Sequence, residues 1–394
     1  MTSRIALLTG ATGFLGSSLA LELLSSGRER VYCVVRPRGD MTERLHRAVR
    51  AAGDAAGIED GLDEQLRRLV PLAGDIAQPG LGLTAADRAR LAADRPDEVW
   101  HAAASLLYED KHKAEIMATN VDGTAHMVET VAELGIPELN HISTAYVAGM
   151  RVGDVHEEPY DRRFDPNNWY EASKRQGEDI VVANAARFER VRIMRPSIVV
   201  GNLSTHRSSS DSGYYGFLRG LERLCRLMER KEDGYLDHHR VKLFVEPHSS
   251  LNLVPIDLLV REAIALADAP QGGGRYFHLT NPFPITIEQA RVGPESSIDR
   301  LRLDLVEDRE LLGKYDALLD DALDFYRPYL RNDKNFIRAR DGANPPAAIR
   351  ITQDDLAALS VVHFEQKRDA AATKRATTSF DPAGTSGGLP RELC

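Results

Sequence analysis

Thr9-Gly10-Ala11-Thr12-Gly13-Phe14-Leu15-Gly16 is the stretch on which the reading of this chain turns. Arg4 to Thr9 is an apolar run of strand length, and from Phe14 to Ser26 the apolar residues recur at helical spacing. The stretch is therefore a strand-to-helix turn. Gly10 allows a tight bend, Gly13 lets backbone N–H groups approach an anion, and Gly16 lets the helix pack close to the strand. The N–H groups at the helix start then face a pyrophosphate, with Thr12, Phe14 and Leu15 beside it. Glycine spacing alone also fits an ordinary bend, so the rest of the chain has to agree with it.

Working outward, Val31 to Val35 reads as a second strand that stops at Arg36. In a dinucleotide fold the end of the second strand meets the adenosine ribose; a carboxylate there suits NAD and an arginine suits the 2′-phosphate of NADP. The chain offers Arg36 and Arg38, with Asp40 too far along, so NADPH/NADP+ is the expected cofactor. A third strand ends at Gly74-Asp75, Thr84 is placed to cap a helix, and Asp97 to His101 is a fourth strand. The small residues Ala102 and Ala103 that follow would let a cofactor lie against the backbone, whereas His101 reads as a packed core residue. A helix from Ala114 to Leu134 carries Asn120, and Leu139 to Ser143 is a fifth strand leading into Thr144. This alternation predicts an α/β fold, a Rossmann-type doubly wound parallel sheet with one ligand crevice at its strand ends.

Asn168-Trp169-Tyr170-Glu171-Ala172-Ser173-Lys174 opens the next helix, to about Phe188. Tyr170 and Lys174 are four apart and share a face. A neighbouring ammonium would lower the tyrosine pKa from about 10 and make Tyr170 a proton donor near neutral pH.

These motifs together resemble an extended short-chain dehydrogenase/reductase, in particular the branch of fatty acyl-CoA reductases and the thioester-reductase domains of carboxylic acid reductases and peptide synthetases. The resemblance rests on Thr9 to Gly16, Val35-Arg36-Pro37, Gly74-Asp75, Leu81-Gly82-Leu83, Asn120 to Thr124, Ile142 to Val147, Tyr170 to Lys174, Arg195 to Val199 and Asn252 to Asp257, and covers residues 4 to 280. It implies that Thr144 is the catalytic hydroxyl, with Ser143 an adjacent alternative, that Tyr170 is the general acid and Lys174 its activator, and that Asn120 organises a proton-relay water. It further implies that Asp75 and Ile76 meet the adenine and that Pro196, Ser197 and Ile198 meet the nicotinamide amide. The implied reaction is NADPH-dependent reduction of an acyl thioester, of CoA or of a carrier protein, to an aldehyde or on to an alcohol, and nothing in the residues decides between the two products. The same machinery serves a free ketone, an alcohol or a sugar nucleotide, and a non-catalytic NADP-sensing protein is a third reading that Tyr170 and Lys174 together disfavour.

Beyond Gly201 the chain changes character. A Ser-rich loop over 204–212 precedes an amphipathic helix from Tyr214 to Arg230, with Phe217, Leu218, Leu221, Leu224 and Met228 on one face and Arg219, Arg223, Arg226 and Arg230 on the other. The expected organisation is a dinucleotide core over 1–200 to which 241–280 partly contributes, a substrate-binding or lid region over 201–240 and 281–365, and a disordered tail over 366–394. Residues 286–335 read as helical. A net charge of −9 argues against a nucleic-acid partner. The three cysteines show no metal-ligand spacing or disulfide framework. With no leader pattern and no 18-residue apolar run, a cytoplasmic protein without stable membrane insertion is expected.

Overall fold

The computed structural model describes residues 4–58, 60–269, 275–341 and 350–378. Apolar strands and amphipathic helices alternate as β1 (Arg4–Thr9), α1 (Phe14–Ser25), β2 (Arg28–Val35), α2 (Met41–Ala56), β3 (Leu69–Ala73) and β4 (Glu98–His101). They continue as α3 (Gly123–Glu133), β5 (Glu138–Ile142), α4 (Trp169–Ala183) and β6 (Arg190–Pro196). After α5 (Tyr214–Lys231) come α6 (Ile256–Asp268) and β7 (Tyr276–Leu279), the last strand of the same sheet. The sheet order is β7-β6-β5-β4-β1-β2-β3, and every pairing is parallel. Such a sheet is covered on both faces, which is why Ala6, Leu7 and Leu8 are all fully buried and the strands read as continuous apolar runs. Leu8, Val31 and Cys33 pack with α1 and α6 on one face, while Leu7, Tyr32 and Val99 pack with α3 on the other. The order reverses between β1 and β4, so the ligand crevice opens there.

A second core lies beyond β6. It gathers Tyr215, Leu218, Leu221 and Met228 of α5, Leu319 of α7 (Lys314–Ala322) and Leu356 and Leu359 of α8 (Gln353–Thr378). Val241–Phe244 pairs with Leu303–Val306 inside this core, so the first joins the second core rather than the main sheet, and the second is a strand where the sequence pattern suggested helix. Leu253–Pro255 pairs instead with Ile198–Val200, and α6 and β7 complete the dinucleotide core.

The tail expectation needs correction over part of its length. Helix α8 continues past Gln366 to Thr378, because Leu356, Leu359 and Phe364 anchor it in the second core, Lys367 pairs with Asp211 at 2.5 Å, and the Ala-rich turns that follow favour helix. Residues 379–394 of the predicted tail lie outside the described residues. No helix among the described residues is long and apolar enough to cross a membrane.

Candidate active site

The glycine turn does what its spacing suggests, for a reason visible in atoms. Gly10 leaves β1 with φ +82°, and a Cβ there would sit 2.6 Å from Ala103 N, so the backbone of the loop after β4 can lie directly against it. At Gly16 a Cβ would meet Gly10 O at 2.0 Å. Gly13 N donates to Gly10 O at 2.9 Å, and Gly13 then caps α1 without any side-chain hydrogen bond or acidic residue in the first turn. The amides of that turn therefore remain available to an anion.

Gly10, Gly13, Phe14, Leu15, Gly16 and Ala102 form one wall of a cavity of about 520 Å³. Thr144, Tyr170, Lys174, Pro196, Ser197 and Ile198 stand around the same space. Thr12, Arg36, Arg38, Asp75, Ile76, Ala103 and Asn120 do not line it. Arg36 and Arg38 lie exposed just past β2, without an ion-pair partner among the described residues. Arg44 of α2, a residue that sequence reasoning missed, holds their backbone by donating to Arg36 O at 2.9 Å and Arg38 O at 2.8 Å. Asp40 caps α2 by accepting from Glu43 N and is thereby committed. Asp75 accepts from Ala77 N at 3.0 Å at the tip of β3, and Ile76 is buried against the face of Gly123.

On the chemical side of the cavity, Asn168 caps α4 by accepting from Glu171 N at 2.9 Å, which sets the first turn that carries Tyr170. A buried ion pair ties that helix to β6: Arg195 donates to Glu178 through Nε at 2.9 Å and Nη2 at 2.7 Å, with both side chains almost fully enclosed. Ser143 Oγ donates to the same carboxylate at 2.5 Å, so its hydroxyl is spent on this pair. Thr144 is freer, accepting from Tyr146 N at 3.2 Å and donating weakly to Pro196 O at 3.4 Å.

The structure does not show the relation expected between Tyr170 and Lys174. Lys174 Nζ donates to Ile142 O at 2.6 Å, and burial brings its ammonium down to about 8. Tyr170 is shifted upward from 10, chiefly by burial and then by the Glu171 carboxylate, with a hydrogen bond from Thr144 acting the other way. Desolvation of the phenolate outweighs any pull from an ammonium that is turned to a carbonyl.

Asn120 lies in a single π-helical turn, Ala118–Asp122, a feature common at functional sites. It accepts from Ser105 N at 2.7 Å and donates to Ser105 O at 3.0 Å and Ser173 Oγ at 2.8 Å, fixing the loop after β4 to α4. His101 is a core residue, bonded to Thr9 Oγ1 at 2.7 Å and Thr124 Oγ1 at 3.1 Å and brought down to about 3 by burial.

Away from Tyr170 the cavity walls become apolar. Leu243, Leu251, Leu253, Ile287, Leu303 and Leu305 come from the second core. Tyr108 stacks on Phe325 with ring centroids 3.6 Å apart, joining the loop after β4 to the C-terminal region. Tyr146 and Tyr329, neither given a role from sequence, meet edge to face at 4.8 Å on the same wall.

The sequence profile of the NAD-binding male sterility protein family matches residues 8–263, more than half of the chain. The chain belongs to the male sterility protein family. A stretch of a linear gramicidin synthase from Brevibacillus parabrevis is 29% identical over 283 residues, 70% of this chain and 5% of that protein. A Drosophila melanogaster relative named as a fatty acyl-CoA reductase is 26% identical over 317 residues, 70% of this chain and 58% of that one. The chain thus spans a small part of the first and a little over half of the second. The crystal structure of the terminal R domain from the myxalamid PKS-NRPS biosynthetic pathway superposes with a TM-score of 0.72 over 92% of this chain and 91% of that one; at 23% identity it shows the shared fold. The matched residues cover most of the Rossmann-type α/β core described above.

The residues present fit a nicotinamide dinucleotide. The Gly10–Gly16 cradle admits no Cβ at Gly10 or Gly16, and the α1 amides are uncapped. Ser197 Oγ is buried on the cavity wall with no hydrogen-bond partner among the described residues, as a polar atom awaiting a ligand would be.

Proposed function

We propose that the chain reduces an acyl thioester, carried by CoA or a carrier protein, to the aldehyde with NADPH. The observation that carries this reading is the apolar run of the cavity beyond Tyr170 and Thr144. Leu243, Leu251, Leu303 and Leu305 suit a hydrocarbon acyl group and offer no hydrogen bonds to the hydroxyls and phosphates of a sugar nucleotide. The likeness to the relative named as a fatty acyl-CoA reductase supports a thioester as the group received.

The glycine turn and the first turn of α1 would hold the pyrophosphate, Arg36 the 2′-phosphate, and Ser197 the nicotinamide side. Bound there, the cofactor supplies a hydride. Thr144 Oγ1 and Tyr170 Oη hydrogen-bond the substrate carbonyl oxygen more strongly as it gains charge, and Tyr170 passes its proton to that oxygen. The hemithioacetal so formed collapses to the aldehyde: its C–S bond breaks, and the hydroxyl proton leaves with the departing thiol. Its elevated pKa keeps Oη protonated before the substrate arrives. Lys174, lowered to about 8, can turn from Ile142 O toward a bound ribose and steady the phenolate once the proton has left. The apolar walls exclude water from the acyl group.

The test is purified protein with NADPH and then NADH against acyl-CoA, acyl-carrier, aldehyde and ketone substrates, followed by cofactor absorbance. Thioester turnover with NADPH is expected; brisk ketone turnover beside none for any thioester overturns the reading. Arg36→Ala is expected to weaken NADPH binding about tenfold more than NADH binding, since a charge-assisted phosphate contact is lost; equal effects on the two cofactors would refute the phosphate-reading role. Thr144→Val should lower kcat by about 10²-fold through loss of one donor to the developing oxyanion. Ser143→Ala should leave kcat intact and cost about 1 kcal/mol of stability, because its hydroxyl serves Glu178. The two variants, measured side by side in turnover and thermal melts, decide which hydroxyl acts.

A further inference from the structure

Glu171 stands between Tyr170 and Lys174, and its side chain is 0% exposed. A buried carboxylate is costly unless its oxygens are satisfied, so its partners are informative. Some are local. Asn167 donates to Oε2 through its backbone N at 2.8 Å and through Nδ2 at 3.0 Å, a box of the kind that starts many helices.

The remaining partner comes from the far end of the chain. Tyr329 Oη donates to Glu171 Oε1 at 2.7 Å, and Asn168 Nδ2 donates to Tyr329 Oη at 3.0 Å. Tyr329 belongs to a short helix, Arg327–Arg331, and its ring lines the cavity against Tyr146 and beside Phe325. The amine of Lys334, 3% exposed in the strand Lys334–Phe336, interacts with the same carboxylate. A local helix box needs none of this. Two polar groups from the C-terminal region have instead been brought to the residue next to the phenol.

We propose that Glu171 and Tyr329 are positioning residues for Tyr170, latching the C-terminal wall of the cavity to the first turn of the catalytic helix. The inference rests on Tyr170 being the proton donor of the proposed reaction. The latch holds Oη in register with a substrate that fills the cavity, because one side of Tyr329 touches that space and its hydroxyl grips the Glu171 and Asn168 side chains of the turn carrying Tyr170. The carboxylate also disfavours a neighbouring phenolate and so keeps Oη in its donating form. The other charged groups around the carboxylate and the phenol are Lys174 and Arg175 on α4 and Lys334 from the C-terminal strand. Thr144 adds its hydrogen bond from the loop after β5.

The experiment uses the full chain with bound NADP+ or NADPH, and the variants Glu171→Gln and Tyr329→Phe. Tyrosine is labelled at Cζ with ¹³C, and the Tyr170 signal is assigned by its loss in Tyr170→Phe. With the negative charge gone, Tyr170 ionises more readily, so in Glu171→Gln its signal should titrate at a pH lower by about one unit. The basic limb of kcat/KM should move the same way. Tyr329→Phe, which removes one oxygen, should shift the Tyr170 signal and lower kcat on a long-chain acyl thioester about tenfold, while NADPH affinity stays at the wild-type value. The carbon signal needs no turnover, so it decides the latch even if thioesters prove not to be substrates. Should Glu171→Gln fail to fold in a thermal melt, Tyr329→Phe carries the test alone. A Tyr170 signal in Tyr329→Phe that matches wild type in position and titration overturns the proposal.

Discussion

Tyr170→Phe is expected to lower kcat by about 10²- to 10⁴-fold, the range that a positioned general acid supplies, while NADPH binds as before. The ring stays in its place at the start of α4, and the cap from Asn168 and the Glu178–Arg195 pair that hold the helix do not involve the phenol oxygen. On the proposed mechanism, what goes is one oxygen that serves twice, as a hydrogen-bond donor to the substrate carbonyl and as the source of the proton. Thr144 remains as a donor to the carbonyl oxygen, so residual turnover reflects that contact and the held geometry alone. Stopped-flow hydride transfer with a saturating acyl thioester, beside fluorescence titration of NADPH, separates the two quantities. Normal hydride transfer in the variant would show that the proton comes from elsewhere.

Gly16→Ala should damage both the fold and the cofactor groove. The new Cβ would lie 2.0 Å from Gly10 O and 2.6 Å from Gly10 C, and both are backbone atoms that no rotamer change can move. To admit it, α1 must tilt away from β1, at a cost of about 1–3 kcal/mol typical of overpacking, and the first-turn amides leave the groove with it. The expected result is a lower melting temperature together with at least a tenfold loss of NADPH affinity, about 1.4 kcal/mol. Gly13→Ala is the informative contrast. There a Cβ meets only Gly10 O at 3.4 Å and φ is an ordinary −90°, so the fold should melt as wild type while the methyl crowds the bound anion. If Gly16→Ala melts and binds like wild type, the close approach of helix to turn is not what the third glycine provides.

Much of this was legible because the chemistry of a Rossmann turn is local. The distances between Gly10, Gly13 and Gly16 along the chain are the distances that matter in space, as are those within α4 from Asn168 through Tyr170 to Lys174. Strands buried on both faces announce themselves as unbroken apolar runs such as Ala6-Leu7-Leu8. Residues whose meaning depends on a distant partner could not be read this way. Val241–Phe244 and Leu303–Val306 form a strand pair only because each finds the other across some sixty residues. Helix α8 outlasts its own composition because Leu356, Leu359 and Phe364 find the second core. Arg44 carries no motif, and nothing local to Tyr329 announces its bond to Glu171.

The sequence by itself determined the parallel α/β core, the nucleotide turn and the residue types available for proton chemistry, since each of these is written in spacing of a few residues. Only the tertiary structure decided that Ser143 is spent on Glu178 while the Thr144 hydroxyl keeps only weak partners beside the cavity, and that Lys174 turns to Ile142 O. It alone also placed Glu171 under the hand of Tyr329. The physical reason is the same in each case. A hydroxyl, an amine or a carboxylate can do several things, and which of them it does is set by burial and by the partner that long-range packing delivers to it.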